Sequence, residues 1–268
     1  MMEKTSTVRV AGGTVEVRSK GRTGPALVFV HYWGGSAATW DAVIARLPAD
    51  QLTVRFDQRG WGTSRTLTGP YALDQLADDL GKVIEAMELR SFVLVGHSMG
   101  AKVSQVVAAR RPAGLAGVLL VAPAPPRPPA AVTPQYQEGL SHAYDSAESV
   151  AQALTHVLTA VPLPEPLRAA VVRDSLAVQH PEARREWPLR GIATDIADAA
   201  RAINVPVTVL VGGSDAVEPP HVLRDHLLPY IPHAEMSVVP GVGHLLPLEA
   251  PDVLAAELGS LTGRLGCC

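Results

Sequence analysis

The residues of this 268-residue chain best placed to do chemistry are in Gly96-His97-Ser98-Met99-Gly100. The serine stands between two glycines, follows the apolar run Phe92-Val93-Leu94-Val95, and precedes a stretch in which Val103, Val106 and Val107 share one helical side. On such a strand-turn-helix bend the serine backbone is strained, and only small neighbours let strand and helix pass closely. A serine hydroxyl is a weak nucleophile near neutral pH. It needs a base within hydrogen-bond reach, and the base needs a third group to hold one tautomer. A Gly-rich turn without chemistry is the plain alternative, so the pattern has to be weighed in its setting.

That setting is an alternation of strands and helices. Apolar runs at 26–31, 92–95 and 115–121 read as strands buried on both faces of a parallel sheet. Residues 7–10 and 14–18, around Gly12-Gly13, read as an opening hairpin, and 52–56, 207–211 and 236–239 as further strands. Leu73, Leu76, Ala77, Leu80, Val83, Ile84 and Met87 recur at helical spacing, and 101–110, 221–228 and 251–261 are further helices. The run Pro123-Ala124-Pro125-Pro126-Arg127-Pro128-Pro129 can neither pair in a sheet nor continue a helix, so it marks a boundary. Beyond it the pattern is helical only, with breaks at Pro162, Pro164, Pro166, Pro181 and Pro188. The expected organisation is an α/β core over 1–122 and 202–268, interrupted by a helical lid over 123–201.

Composition narrows the function classes. With 47% hydrophobic residues the chain can bury one sizeable core. A net charge of -3 and the lack of any Lys/Arg block argue against nucleic-acid and anionic-membrane partners, leaving a small-molecule substrate. No apolar run approaches the ~20 residues of a membrane-spanning helix, and the first ten residues carry Glu3, Lys4 and Arg9 in place of an apolar signal core. A cytoplasmic protein is expected. Cys267 and Cys268 are adjacent at the terminus, so they neither staple distant segments nor build a metal site. A terminal Cys-Cys pair also resembles a prenylation signal, but an unmodified terminus is the expectation.

Five segments, in order, carry a resemblance: His31-Tyr32-Trp33-Gly34-Gly35, Asp57-Gln58-Arg59-Gly60-Trp61-Gly62-Thr63-Ser64, Gly96 to Gly100, Gly212-Gly213-Ser214-Asp215, and Gly241-Val242-Gly243-His244. The chain resembles the α/β-hydrolase superfamily, in its group of lidded esterases, perhydrolases and carbon-carbon-bond hydrolases, over essentially its whole length. The resemblance implies a mostly parallel, eight-stranded sheet flanked by helices, with an inserted helical lid. It places the base at His244 and, in the chain order Ser, Asp, His, the orienting acid at Asp215. Glu218, three residues on, stays open as the acid, and Asp215 as a plain turn residue. A tetrahedral intermediate needs two N–H donors. One is expected at Met99, where the helix begins; the resemblance puts the other at Trp33.

Tyr32 stands where the family usually has Gly, which bears on the geometry of that loop. Tyr32, Trp33 and His97 are expected to border the substrate, although His97 also reads as structural. His142, His156 and His180 fall in the lid, and Asp57 is expected to organise its own loop with Arg59.

The chemistry expected is hydrolysis of a carboxylic ester or lactone of a small, largely apolar substrate through an acyl-enzyme, with no metal or organic cofactor. Perhydrolysis of the cofactor-free haloperoxidase kind and carbon-carbon bond cleavage use the same residues and stand as alternatives. A ligand receptor with vestigial hydrolase activity is the alternative of another class. Serine, not aspartate, at the nucleophile position argues against dehalogenase and epoxide hydrolase chemistry.

Overall fold

A computed structural model describes residues 2–265; the terminal Cys267-Cys268 pair lies outside the described residues. Eight strands form one sheet in the order β1-β2-β4-β3-β5-β6-β7-β8. They are β1 (Lys4–Val10), β2 (Gly13–Lys20), β3 (Thr23–Val30), β4 (Gln51–Phe56), β5 (Phe92–His97), β6 (Leu115–Val121), β7 (Val207–Gly212) and β8 (Glu235–Val239). The hairpin β1-β2 and the pair β2-β4 are antiparallel, and every other pairing is parallel.

The apolar runs are continuous because the sheet is covered on both faces. Alternate residues of one strand feed opposite cores: Leu27 and Phe29 join Trp40, Val43, Leu254 and Leu258 on one side. Val28 and Val30 join Leu80, Val83, Val103 and Val107 on the other. The helix Leu73–Ala86 buries Leu73, Leu76, Ala77, Leu80, Val83 and Ile84, the stripe its spacing predicts.

Chain order reverses between β3 and β5, because β4 lies on one flank of β3 and β5 on the other. Loops leaving the carboxyl ends of two such strands diverge and leave a crevice. Residues 31–37 follow β3 and Ser98 follows β5, so both lie at that crevice.

Between β6 and β7 the chain holds only helical segments: Pro134–Ser141, Ala147–Ala153, a π-helical turn Leu154–Leu158, Glu165–Leu176, Pro181–Leu189 and Ala197–Arg201, with a short turn Gly191–Ala193. Proline occupies the first turn of Pro134–Ser141 and of Pro181–Leu189, where no backbone hydrogen bond is lost. Tyr144, Leu154, Leu158, Trp187 and Ile192 sink into the same apolar cluster as Tyr32, Trp33 and Met99. Among the described residues no helix is long and apolar enough to cross a membrane.

Candidate active site

Ser98 has φ 53° and ψ −114°, a conformation that L-residues rarely adopt. Its neighbours explain how the turn persists. A Cβ on Gly96 would lie 2.6 Å from the Ala101 Cα, and one on Gly100 would meet the carbonyl oxygens of Val30 and His31. Any larger residue at either place would part the helix Met99–Ala109 from the sheet. Ser98 N–H donates to Val121 O at 3.0 Å, tying the turn to β6.

His244 and Asp215 arrive on neighbouring loops, after β8 and β7. Ser214 N–H donates to Val242 O at 2.9 Å and Gly213 N–H to Val239 O at 2.8 Å, which binds the two loops together. His244 Nδ1 is 2.9 Å from Asp215 Oδ2, with side-chain exposures of 3% and 0%. Asp215 Oδ1 accepts from the N–H groups of Val217 and Glu218 at 2.8 and 2.9 Å. Burial pushes the Asp215 carboxyl up, but the His244 ring and these donors outweigh it, so its pKa lies below the usual carboxylate value. An ionised Asp215 fixes the proton of neutral His244 on Nδ1 and leaves Nε2 as the basic nitrogen. Ser98 and His244 border one cavity, without a hydrogen bond between them in this structure. Such contacts commonly tighten only when substrate binds.

The loop after β3 is held from three directions. His31 Nδ1–H donates to Tyr32 O at 2.8 Å, while its Nε2 accepts from Gln58 N–H at 2.9 Å. Burial lowers the His31 pKa, which suits a ring that must accept at Nε2. Asp57 accepts from Ala37 N–H at 2.7 Å and from Thr63 N–H at 2.8 Å. Arg59 is not its partner: it pairs with Asp79, Nε to Oδ2 at 2.7 Å and Nη2 to Oδ1 at 2.9 Å. That corrects the expected Asp57 and Arg59 partnership. The two acids divide the work, one bracing the loops and the other neutralising a buried guanidinium.

Tyr32 is accommodated without strain. The left-handed position of the loop is Gly34, at φ 85°, and a Cβ there would run into the Tyr144 ring. Trp33 stacks on Tyr144 with centroids 4.1 Å apart. The Tyr144 hydroxyl donates to Trp33 O at 3.2 Å, and Trp33 Nε1–H donates to Arg184 O at 2.9 Å. Among the described residues neither the Trp33 nor the Met99 backbone N–H meets an acceptor. Free N–H groups in so buried a place need a partner from outside the chain.

The cavity has a volume of about 370 Å³. Tyr32, Trp33, Ser98 and His244 form its floor, and Tyr144, Leu158, Trp187 and Ile192 stand among the residues opposite. The expectation for His97 is corrected: it is fully buried, it does not border the cavity, and its Nε2–H donates to His244 O at 2.8 Å. Burial, followed by the neighbouring His244, lowers its pKa to about 3. It is a prop beneath His244. His142 and His156 are exposed and His180 is partly buried, and none of the three borders this cavity.

Several site residues carried no readable signal in the chain. Tyr144 lies in the turn between the helices Pro134–Ser141 and Ala147–Ala153, and Trp187 in the short helix Pro181–Leu189, neither of them on a clear apolar stripe. Glu249 accepts from Ala160 N–H at 2.8 Å and Gly243 N–H at 3.2 Å, joining segments far apart in sequence. Its place three residues after Asp215 draws attention to Glu218 only as an alternative to that acid, whereas it is a wall of the cavity.

Residues 27–257 match the model of the alpha/beta hydrolase family. The chain belongs to the alpha/beta hydrolase family. It is therefore an enzyme of hydrolase type. It is 27% identical over 261 residues to a 2-(acetamidomethylene)succinate hydrolase of Mesorhizobium japonicum, with 90% of this chain and 88% of that protein covered. It is 28% identical over 246 residues to the dihydrolipoyllysine-residue acetyltransferase component of the acetoin cleaving system of Pseudomonas putida. That match takes in 89% of this chain and 63% of the longer protein, less than two thirds of its length. In fold this alpha/beta hydrolase is similar to a thermophilic esterase from Thermogutta terrifontis, with a TM-score of 0.82, 24% identity and 99% of each chain covered.

Proposed function

We propose that this alpha/beta hydrolase cleaves carboxylic esters or lactones of small, largely apolar substrates, with Ser98 as nucleophile, His244 as base and Asp215 as its orienting acid. The observation that carries the proposal is the strained Ser98 at the floor of an apolar cavity, beside a histidine whose Nδ1 is bonded to a buried carboxylate. Ser98 Oγ attacks the carbonyl carbon while His244 Nε2 takes the hydroxyl proton, and the carbonyl electron pair moves to oxygen. The resulting oxyanion accepts from the Met99 and Trp33 N–H groups, the first also favoured by the positive end of its helix. Collapse expels the alkoxide, which receives the proton from His244 Nε2. A water molecule then loses its proton to Nε2, attacks the acyl-enzyme and frees Ser98.

The helices over 123–201 act in this reading as a lid, and their apolar lining sets substrate size. A cavity of about 370 Å³ falls in the range of small-molecule sites. The decisive test is turnover of p-nitrophenyl acetate, with labelling by a fluorophosphonate mapped to Ser98 by peptide mass. A panel of esters of graded chain length and several lactones then ranks substrates by kcat/KM. Folded protein that turns over none of them and resists the label refutes the proposal.

A further inference from the structure

Glu218 is the one carboxylic acid among the residues bordering the cavity, alongside the hydroxyl-bearing Ser98, Tyr32, Tyr136 and Tyr144 and the ring of His244. It is 6% exposed, and only its backbone N–H is engaged, donating to Asp215. Its carboxyl oxygens have no hydrogen-bond partner among the described residues, nor are they sealed in protein, so what little surface they have belongs to the cavity. A buried polar group without a partner is costly to a fold, and a ligand that completes it would account for its being kept.

The charges around it decide which ligand. Asp215 lies on the same loop, Lys102 on the helix Met99–Ala109, and Tyr136 on the helix Pro134–Ser141, while His244 shares the cavity. Burial first, and then the ionised Asp215, push the Glu218 carboxyl well above its ordinary value, with Lys102 pulling the other way. Lys102 is fully buried, with Nζ donating to Ile192 O at 3.2 Å, and burial lowers its pKa to about 8. These surroundings favour the protonated carboxyl over the carboxylate. An approaching ammonium group would have the Lys102 cation against it, whereas a neutral oxygen acceptor finds an O–H donor in the protonated acid.

We propose that Glu218 is a specificity-determining residue that donates its carboxyl proton to a neutral oxygen, a keto, ether or hydroxyl group, carried by the substrate away from the scissile bond. This rests on the cavity being the substrate site, and deepens the hydrolytic reading by naming a substrate class: esters or lactones with a second oxygen function. The O–H supplies one directed contact in an otherwise apolar wall. An ester without that oxygen leaves the acid unpartnered, and it binds less well for that reason.

The test is ligand binding to Ser98→Ala protein, read by quenching of Trp33 and Trp187 fluorescence, so it does not depend on turnover. The probes are methyl hexanoate, its 3-, 4- and 5-oxo analogues, and methyl 6-aminohexanoate. At least one oxo analogue is expected to bind roughly 10-fold more tightly than methyl hexanoate. Adding Glu218→Leu should erase that preference, while Glu218→Gln, which keeps an N–H donor, should retain most of it. Raising the pH until Glu218 ionises should weaken the preference in the Ser98→Ala protein and leave it unchanged with Glu218→Gln. Equal affinities for methyl hexanoate and its three oxo analogues, a preference that survives Glu218→Leu, or tightest binding of the amine would each overturn the assignment. Oxo selectivity in a protein that hydrolyses no ester would instead overturn the proposed reaction while upholding the role of Glu218.

Discussion

His97 Nε2 and the His244 carbonyl oxygen lie 2.8 Å apart, so the histidine next to Ser98 holds the backbone of the histidine across the cavity. His244 is gripped from both ends, its carbonyl by His97 and its Nδ1 by Asp215. A ring held in this way would serve as the proposed base without paying to order itself when substrate arrives.

Removing the acid should leave the fold intact and disable the base. Asp215→Asn lets the amide donate to Nδ1, which places the His244 proton on Nε2. Ester turnover is expected to fall by roughly 10³–10⁴-fold in kcat, as wrong-tautomer variants of serine hydrolases do. Circular dichroism should be unchanged, and a loss under ten-fold would remove Asp215 from the proposed role.

Acid should destabilise the protein before its carboxylates titrate. The buried His97 has a folded pKa of about 3 against an ordinary 6.5, and burial lowers that of His31 as well. The unfolded chain therefore binds more protons than the folded one across this window, and stability falls as pH drops from about 6.5 towards 3. Asp215 and Asp57, both lowered, add their losses below about pH 4. Melting temperatures measured between pH 7 and 4.5 should decline, and the slope should be shallower in His97→Gln.

The Arg59 and Asp79 pair can be broken from one side. Both side chains are almost fully buried, at 2% and 3% exposure. Arg59 also donates to Thr68 O and Ala11 O, at 2.7 and 2.6 Å. Arg59→Met would strand a buried carboxylate, with an expected cost of about 3–5 kcal/mol in urea denaturation. The double variant Arg59→Met with Asp79→Leu should recover part of that loss.

Gly34→Ala tests the loop after β3. The added methyl group would strike the Tyr144 ring from a backbone at φ 85°. Relief requires moving either the Trp33 stack or the loop, at about 1–3 kcal/mol. Loss of kcat should exceed what the drop in stability explains at a temperature where the variant stays folded, because the Trp33 N–H moves with the loop.

Glu249 links the roof of the cavity to the His244 loop. His244 N–H and Leu245 N–H both donate to Leu158 O, at 2.9 and 3.1 Å, and Glu249 receives Ala160 and Gly243 from either side. In Glu249→Ala, hydrogen exchange should speed up over 154–161 and 241–245 and stay slow in β5 and β6. Uniform acceleration across the protein would mean that the contact is simply part of the global fold.

Much of this arrangement was legible in the chain. The residues on either side of Ser98 imposed the bend, because glycine alone lets strand and helix approach there. The strands could be read because a doubly covered sheet makes their apolar runs continuous, and the helix Leu73–Ala86 because its stripe recurs every three to four residues. Both signals are local. The partner of Arg59 is not a local signal: Asp57 is near in sequence, but Asp79 comes forward on a helix that only packing brings alongside. Nor does adjacency to Ser98 tell where His97 points, because the direction of a side chain beside a strained turn is set by φ and ψ.

What the sequence determined by itself was the kind of sheet, the bend at Ser98 and the chain order of Ser98, Asp215 and His244. Only the tertiary structure decided which groups meet. The reversal between β3 and β5 brings the Trp33 and Met99 N–H groups to one crevice. Helices from 134–201 close over it with residues that have no periodic signature. The burial of Glu218 arises there too, since the low-dielectric wall that pushes its carboxyl above the ordinary value is assembled from segments more than a hundred residues apart.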